Sequence, residues 1–223
     1  LRTPMNATMG MTAMLLVTEL DEEQREYADL INQENHHLLD IIDKILNYSR
    51  YTKESFVLKS LDFSLRDLIY SITDQYQTKA TQSNLELRYM VQNDVPELLL
   101  GDANCLSEIL KHLLDNAFKF TKQGFVSLTV NLSAYLPQEK LYCLRFNVQD
   151  TGIGIDKDKQ QSIFDAFNQA DNSRVRQYGG IGLGLSLSAR LISLMKGVIW
   201  LESEVNQGST FRFTAYFKES ELI

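Results

Sequence analysis

Two hydrophobic periods divide this chain, and the change between them limits what it can fold into. Over the first 50 residues the apolar positions keep helical spacing, at Leu1, Met5, Met9 and Leu15/Leu16, then at Leu30, Ile31, Leu38, Ile41, Ile42, Ile45 and Leu46. Farther on, VSLTVNL (126–132) and LYCLRFNVQD (141–150) alternate at period two, the mark of half-buried strands. A helical hairpin joined to a separate α+β domain accommodates both.

In the hairpin, TELDEEQ breaks the apolar stripe and offers Asp21 as an N-cap for a second, longer arm running to about Tyr51. Pro4 suits a first helical turn or a kink. Two helices this thin cannot bury their own stripes, so a four-helix bundle with a second copy is expected. Met5, Met9, Met11 and Met14 read as bundle packing rather than ligands, and His36 and His37 as structural.

Beyond about Phe56, Ser64 caps a helix to about Ala80, and LELRYMV (85–91) alternates like a strand. GDANCLSEILKHLLDNAFKF (101–120) is an amphipathic helix with Leu106, Ile109, Leu110, Leu113, Leu114 and Ala117 on its buried side. A helix at 183–196 precedes a hairpin of VIWLESEV and STFRFTAYF with its turn at Asn206, Gln207 and Gly208. The expectation is two helical layers on one mostly antiparallel sheet, an α+β sandwich.

A net charge of −7 argues against general affinity for nucleic acid or anionic membrane. No apolar run approaches a membrane span, and no signal peptide is recognisable. Cys105 and Cys143 are isolated in sequence and read as reduced thiols of a cytoplasmic domain.

Three stretches carry chemistry. In the strand ending QDTGIGID, Asp150 falls in register with Leu144, Phe146 and Val148, so its carboxylate points inward and needs donors. Gly152 and Gly154 let a ligand approach; two readings stand equally, an adenine amino group on Asp150 or a plain turn closed on backbone amides. In YGGIGLGL, Gly179, Gly180, Gly182 and Gly184 precede or open a helix, which suits phosphate or merely close packing. The spacing is neither GxGxxG nor GxxxxGK[ST], so Rossmann and P-loop readings fail. In HLLDNAFKFT, His112, Asn116 and Lys119 border one side of a helix; an amide oxygen suits Mg²⁺ and a lysine suits phosphate.

In this order the motifs resemble the core of sensor histidine kinases, particularly the hybrid type. LRTPMN resembles the tail of the H-box, HLLDNAFKFT the N-box, DTGIGI the G1 box, IFDAFNQAD the F-box, GGIGLGL the G2 box and NQGSTF the G3 element. The resemblance implies a dimerisation and phosphotransfer hairpin at 1–52 and a Bergerat-fold ATP-binding domain at 53–223. It implies that Asp150 reads adenine, Asn116 holds Mg²⁺, Lys119 lies near the nucleotide, and Thr210 belongs to the ATP site. Gly152, Gly154, Gly180, Gly182 and Gly184 would shape pocket and lid, with Phe164 and Phe167 anchoring the lid and Arg176 contacting phosphate.

The same resemblance places the phosphoacceptor His just before Leu1 and gives Thr3 a role in dephosphorylating a partner receiver. A homodimer, a response-regulator receiver partner, ATP and Mg²⁺ follow from it, with any membrane anchor in upstream segments. Four departures stand out: His112 replaces the first Asn of the N-box, Cys105 an Arg, Gln177 a basic lid residue and Ile181 a hydroxyl residue. His112 is then either a working variant or a mark of weak activity. The alternative to a kinase is a nucleotide-binding regulatory module that dimerises with or inhibits other kinases. A gyrase- or chaperone-like ATPase suits the pocket but not the hairpin or the F-box.

Overall fold

The structure, a computed structural model, describes residues 2–53, 55–166 and 182–222. The chain divides into two compact units, Leu1–Lys53 and Glu54–Ile223.

The first unit is a helical hairpin, α1 (Arg2–Leu16) and α2 (Glu22–Tyr51). Pro4 lies within α1, three residues before Ala7 on the exposed side of the helix. Asp21 caps α2 as expected: its carboxylate accepts from the Gln24 N–H at 2.8 Å, and the Gln24 side chain accepts from the Asp21 N–H at 3.2 Å. Between the helices Arg2 pairs with Asp43 at 2.6 Å, and the Asn35 amide donates to the Thr12 hydroxyl at 3.4 Å. Little is buried by this pairing. Met11 and Met14 are 70% and 72% exposed, and Leu15, Leu30, Ile31, Leu38, Ile45 and Leu46 are exposed as well. His36 and His37 both face solvent.

The second unit runs β1 (Leu61–Ser64), α3 (Leu65–Gln82), β2 (Glu86–Val91), β3 (Leu98–Gly101), α4 (Ala103–Phe120), β4 (Phe125–Leu136) and β5 (Leu141–Asp150). Two short 3-10 turns follow, at Lys157–Lys159 and Ser162–Phe164, then α5 (Gly184–Leu194), β6 (Ile199–Glu204) and β7 (Gly208–Glu219). Ser64 caps α3 through the Asp67 N–H, and Asp102 caps α4 through the Cys105 N–H. The strands form one sheet in the order β1-β3-β7-β5-β4-β2, with β6 also paired to β7. Among the described residues only β2 and β4 run parallel.

Against the expected two helical layers, α3, α4 and α5 make one layer on one face of the sheet. The reason lies in the alternation itself. Along β5 and β7 the buried positions are Leu144, Phe146, Val148, Phe211, Phe213, Ala215 and Phe217. Their neighbours Arg145, Asn147, Arg212 and Thr214 make a polar opposite face that needs no cover. Phe146 stacks on Phe213 at 4.6 Å and meets Phe217 edge-on at 6.5 Å, against Leu106, Leu110, Leu113 and Leu114 of α4. Strands β1 and β3, four residues each, are too short to show a period in sequence.

Candidate functional site

Asp150 ends β5 on the buried face, in line with Val148, and is 6% exposed. Its Oδ1 accepts from the Gly152 N–H at 2.8 Å. Burial pushes its carboxyl from 3.8 up to about 6, while the backbone N–H groups of Gly152 and Ser209 pull the other way. Burial wins because two neutral donors do not replace the water a carboxylate loses. Both sequence readings of this turn are therefore compatible with one geometry: a turn closed on amides, with a carboxylate still short of donors.

The loop after Asp150 is stitched to its surroundings. The Ile153 N–H donates to the Phe120 carbonyl at 3.3 Å, which brings the C-terminal end of α4 against the loop. A Cβ at Gly152 would lie 2.5 Å from that carbonyl oxygen and 2.8 Å from Asp150 Oδ1, so only glycine fits. Gly154 has φ +68°, and a Cβ there would collide with the Glu204 carbonyl. On the far side the Asn206 N–H donates to the Ile153 carbonyl at 2.8 Å, and the Ile155 N–H to the Ser203 hydroxyl at 2.8 Å. Ser203 in turn shares a hydrogen bond with the Ser209 hydroxyl at 2.9 Å.

On α4, His112, Asn116 and Lys119 follow one another toward the end that meets this loop. Asn116 is half-buried, and its amide has no hydrogen-bond partner among the described residues. Lys119, in the last turn, sits over the Phe120 ring at 5.1 Å. His112 turns to α5: its Nδ1 lies 3.3 Å from the Ser188 hydroxyl, and a Cβ at Gly184 would come within 3.7 Å of its ring. Cys105 and Cys143 are both buried thiols.

The remaining sequence candidates separate. Phe164 closes its 3-10 turn edge-on against Phe211 at 6.4 Å, so the start of the F-box is fixed to the sheet core. Gly182 has φ +72°, a conformation that favours glycine, and Gly184 opens α5. Phe167, Arg176, Gln177, Gly179, Gly180 and Ile181 lie outside the described residues. Thr3 is exposed on α1. Thr210 pairs with Gln149, on the opposite face of the sheet from the Asp150 carboxylate; the register pairs Asp150 with Ser209. Extending Phe211, Phe213, Ala215 and Phe217 back by two gives Ser209, a residue the sequence reading missed. A depression lined by Gln149, Asp150, Glu202, Glu204, Ser209 and Thr210, among others, also opens here, but its two glutamates would repel a triphosphate.

The described residues fit a nucleotide with its metal. Asp150 is a buried acceptor that two backbone N–H groups leave with capacity for a further donor, Gly152 packs tightly beside it, and Asn116 offers an unpartnered amide oxygen one turn from Phe120. Mg²⁺ is commonly held by one or two side-chain oxygens plus substrate phosphates, so a lone amide is a sufficient protein share.

Comparison with known proteins agrees in both units. Residues 101–219 match the family described as histidine kinase-, DNA gyrase B-, and HSP90-like ATPase, and residues 1–54 match the His Kinase A (phospho-acceptor) domain. The chain is 38% identical over 216 residues to hybrid signal transduction histidine kinase A of Dictyostelium discoideum, covering 95% of this chain and 10% of that protein. It is 40% identical over 211 residues to sensor histidine kinase GacS of Pseudomonas protegens, covering 95% of this chain and 23% of that one. The chain thus spans about a tenth to a quarter of the length of these curated relatives. Among solved structures it is similar to full-length ShkA in complex with AMPPNP, at TM-score 0.83 and 31% identity, over 98% of this chain and 44% of that one. ThkA in complex with the response regulator protein TrrA shares the fold at TM-score 0.66 and 21% identity, over 100% of this chain and 61% of that one. The chain belongs to the histidine kinase-, DNA gyrase B- and HSP90-like ATPase family, and its two matched stretches together make the core of a sensor histidine kinase.

Proposed function

We propose that this chain is the catalytic core of a Mg²⁺- and ATP-dependent protein histidine kinase. It phosphorylates a His preceding Leu1 and passes the phosphoryl group to an Asp of a response-regulator receiver. The hairpin serves as the dimerisation and phosphotransfer element, and the second unit as the ATP-binding domain. The observation that carries this reading is Asp150: a carboxylate driven inward by strand alternation, with room for donors beyond the two backbone N–H groups that reach it, beside a glycine that no side chain could replace. An adenine amino group supplies the missing donor, and a carboxylate acceptor strengthens that bond.

ATP brings the transferable phosphoryl group; the chain's own residues hold and aim it. Asn116 presents an amide oxygen to Mg²⁺, and Lys119 presents its ammonium to the phosphates. His112, on the same helix one turn earlier, sits toward the transfer end. Phe164, held edge-on against Phe211, anchors the start of the F-box, and Phe167, Arg176 and Gly180 are assigned to the ATP site, with Arg176 as a phosphate contact. The exposed apolar stripe of the hairpin is covered by a second copy, giving a homodimer, and Thr3 positions water when the receiver is dephosphorylated. The domain works in the cytoplasm, alone or as part of a longer receptor.

The test is labelling with γ-labelled ATP and Mg²⁺, using the chain extended by its native upstream segment, with Asn116→Ala alongside. Acid-labile, alkali-stable label on the unsubstituted protein alone is the expected result. Nucleotide binding without label overturns the kinase reading in favour of a regulatory module, and no binding overturns the Asp150 site.

A further inference from the structure

His112 stands where it can either accept a proton or donate one, and its surroundings decide which. The Ser188 side chain on α5 is fully buried, and among the described residues its hydroxyl has one hydrogen-bond partner, Nδ1 of His112 at 3.3 Å. A buried hydroxyl with a single partner must donate to it; if it only accepted, its own hydrogen would be stranded without an acceptor. Nδ1 is therefore the acceptor and carries no proton. Turning the ring over would set a C–H against the hydroxyl and lose the bond altogether. The remaining nitrogen, Nε2, then holds the proton of the neutral ring, on the edge that faces Glu108 Oε2 at 4.0 Å.

We propose that Ser188 is a positioning residue that fixes His112 as the Nε2–H tautomer, so that His112 takes part in phosphoryl transfer as a hydrogen-bond donor and not as a base. In that form the ring presents an N–H, the same kind of group an Asn amide would offer. The replacement at this position is thereby chemically conservative, and the compensating partner is seventy-six residues away on another helix. The same bond ties α4 to the first turns of α5, just after Gly182 and Gly184, so the ring is held in place where the glycine-rich segment ends.

The activity side of this inference rests on the kinase reading; the tautomer does not. Nitrogen-15 NMR of the imidazoles in this chain, assigned through His112→Asn, is expected to show His112 as the Nε2–H tautomer at neutral pH. Ser188→Ala should yield a mixture of tautomers, and Ser188→Thr should restore the single form. In the upstream-extended protein Ser188→Ala should slow phosphohistidine formation about three- to tenfold, the span of one neutral hydrogen bond, with ATP affinity unchanged. In a His112→Asn background the same substitution should change nothing further. An Nδ1–H tautomer in the unsubstituted protein, or an equal loss from Ser188→Ala in both backgrounds, overturns the proposal. Absence of any label overturns the kinase reading instead, and the NMR result still decides the tautomer.

Discussion

The hairpin and the second unit treat their apolar residues in opposite ways. In the second unit Phe146, Phe213, Phe217 and the leucines of α4 are all below 2% exposed, whereas in the hairpin Leu30, Ile31, Leu38, Ile45 and Leu46 remain exposed. A single chain satisfies one and leaves the other unfinished. The difference teaches a division of labour. The unit proposed to bind the nucleotide has its own core to hold Asp150, Gly152 and Asn116 in place, while the exposed stripe of the hairpin is proposed to be stabilised by association.

The largest effect that would test this contrast is expected from Phe213→Ala, which should cost the second unit about 3–5 kcal/mol of stability. Thermal unfolding followed at the aromatic residues should show the loss, while the mass of the assembly at high concentration stays dimeric. Joint loss of both would break the contrast. Next, Ile31→Asp with Leu38→Asp should raise the dimer dissociation constant by about 100-fold or more, because two carboxylates would be buried unpaired. Sedimentation should report monomer, with ATP affinity unaltered.

Asp150→Asn comes third and acts on one unit alone. Loss of a charge-assisted hydrogen bond should weaken ATP binding about ten- to hundredfold, read by calorimetry. The pH dependence has a definite sign. The folded-state value is raised from 3.8 to about 6, so the favourable contribution is full below 3.8 and is lost as pH rises through about 6. At pH 7 the ionised, buried Asp150 then costs on the order of 3 kcal/mol, and Asp150→Asn should be more stable than the parent there while binding ATP less well. Since adenine needs the carboxylate, ATP affinity should be flat only above about pH 7, be about halved near pH 6 and fall further as the pH drops below it. The smallest effect belongs to the hairpin: Asp21→Ala should cost about 1 kcal/mol through loss of the α2 cap, seen as reduced helicity on dilution.

What the sequence made legible followed from strong periods and local caps. Asp21, Ser64, the α4 stripe and both hairpins of the sheet are local signals, and each lies where spacing or capping chemistry put it. Strands β1 and β3 escaped because four residues carry no period, and their pairing joins segments far apart in the chain. Of the site, the inward Asp150 and the need for glycine at Gly152 were readable from alternation and turn chemistry. Ser209 was readable by the same alternation, which also shows why Thr210 faces away. The bond between His112 and Ser188 was not, because nothing in either helix announces which residue of the other it will meet. Phe167 and Arg176, which the resemblance assigns to a lid, lie outside the described part of the chain.

The most direct test of the division of labour is one dilution series in which molar mass and binding of a fluorescent ATP analogue are followed in the same samples. Mass is expected to fall from dimer to monomer while the nucleotide dissociation constant stays the same. A dissociation constant that rises as the dimer comes apart would contradict the account, because the site would then depend on the partner that the second unit is claimed not to need.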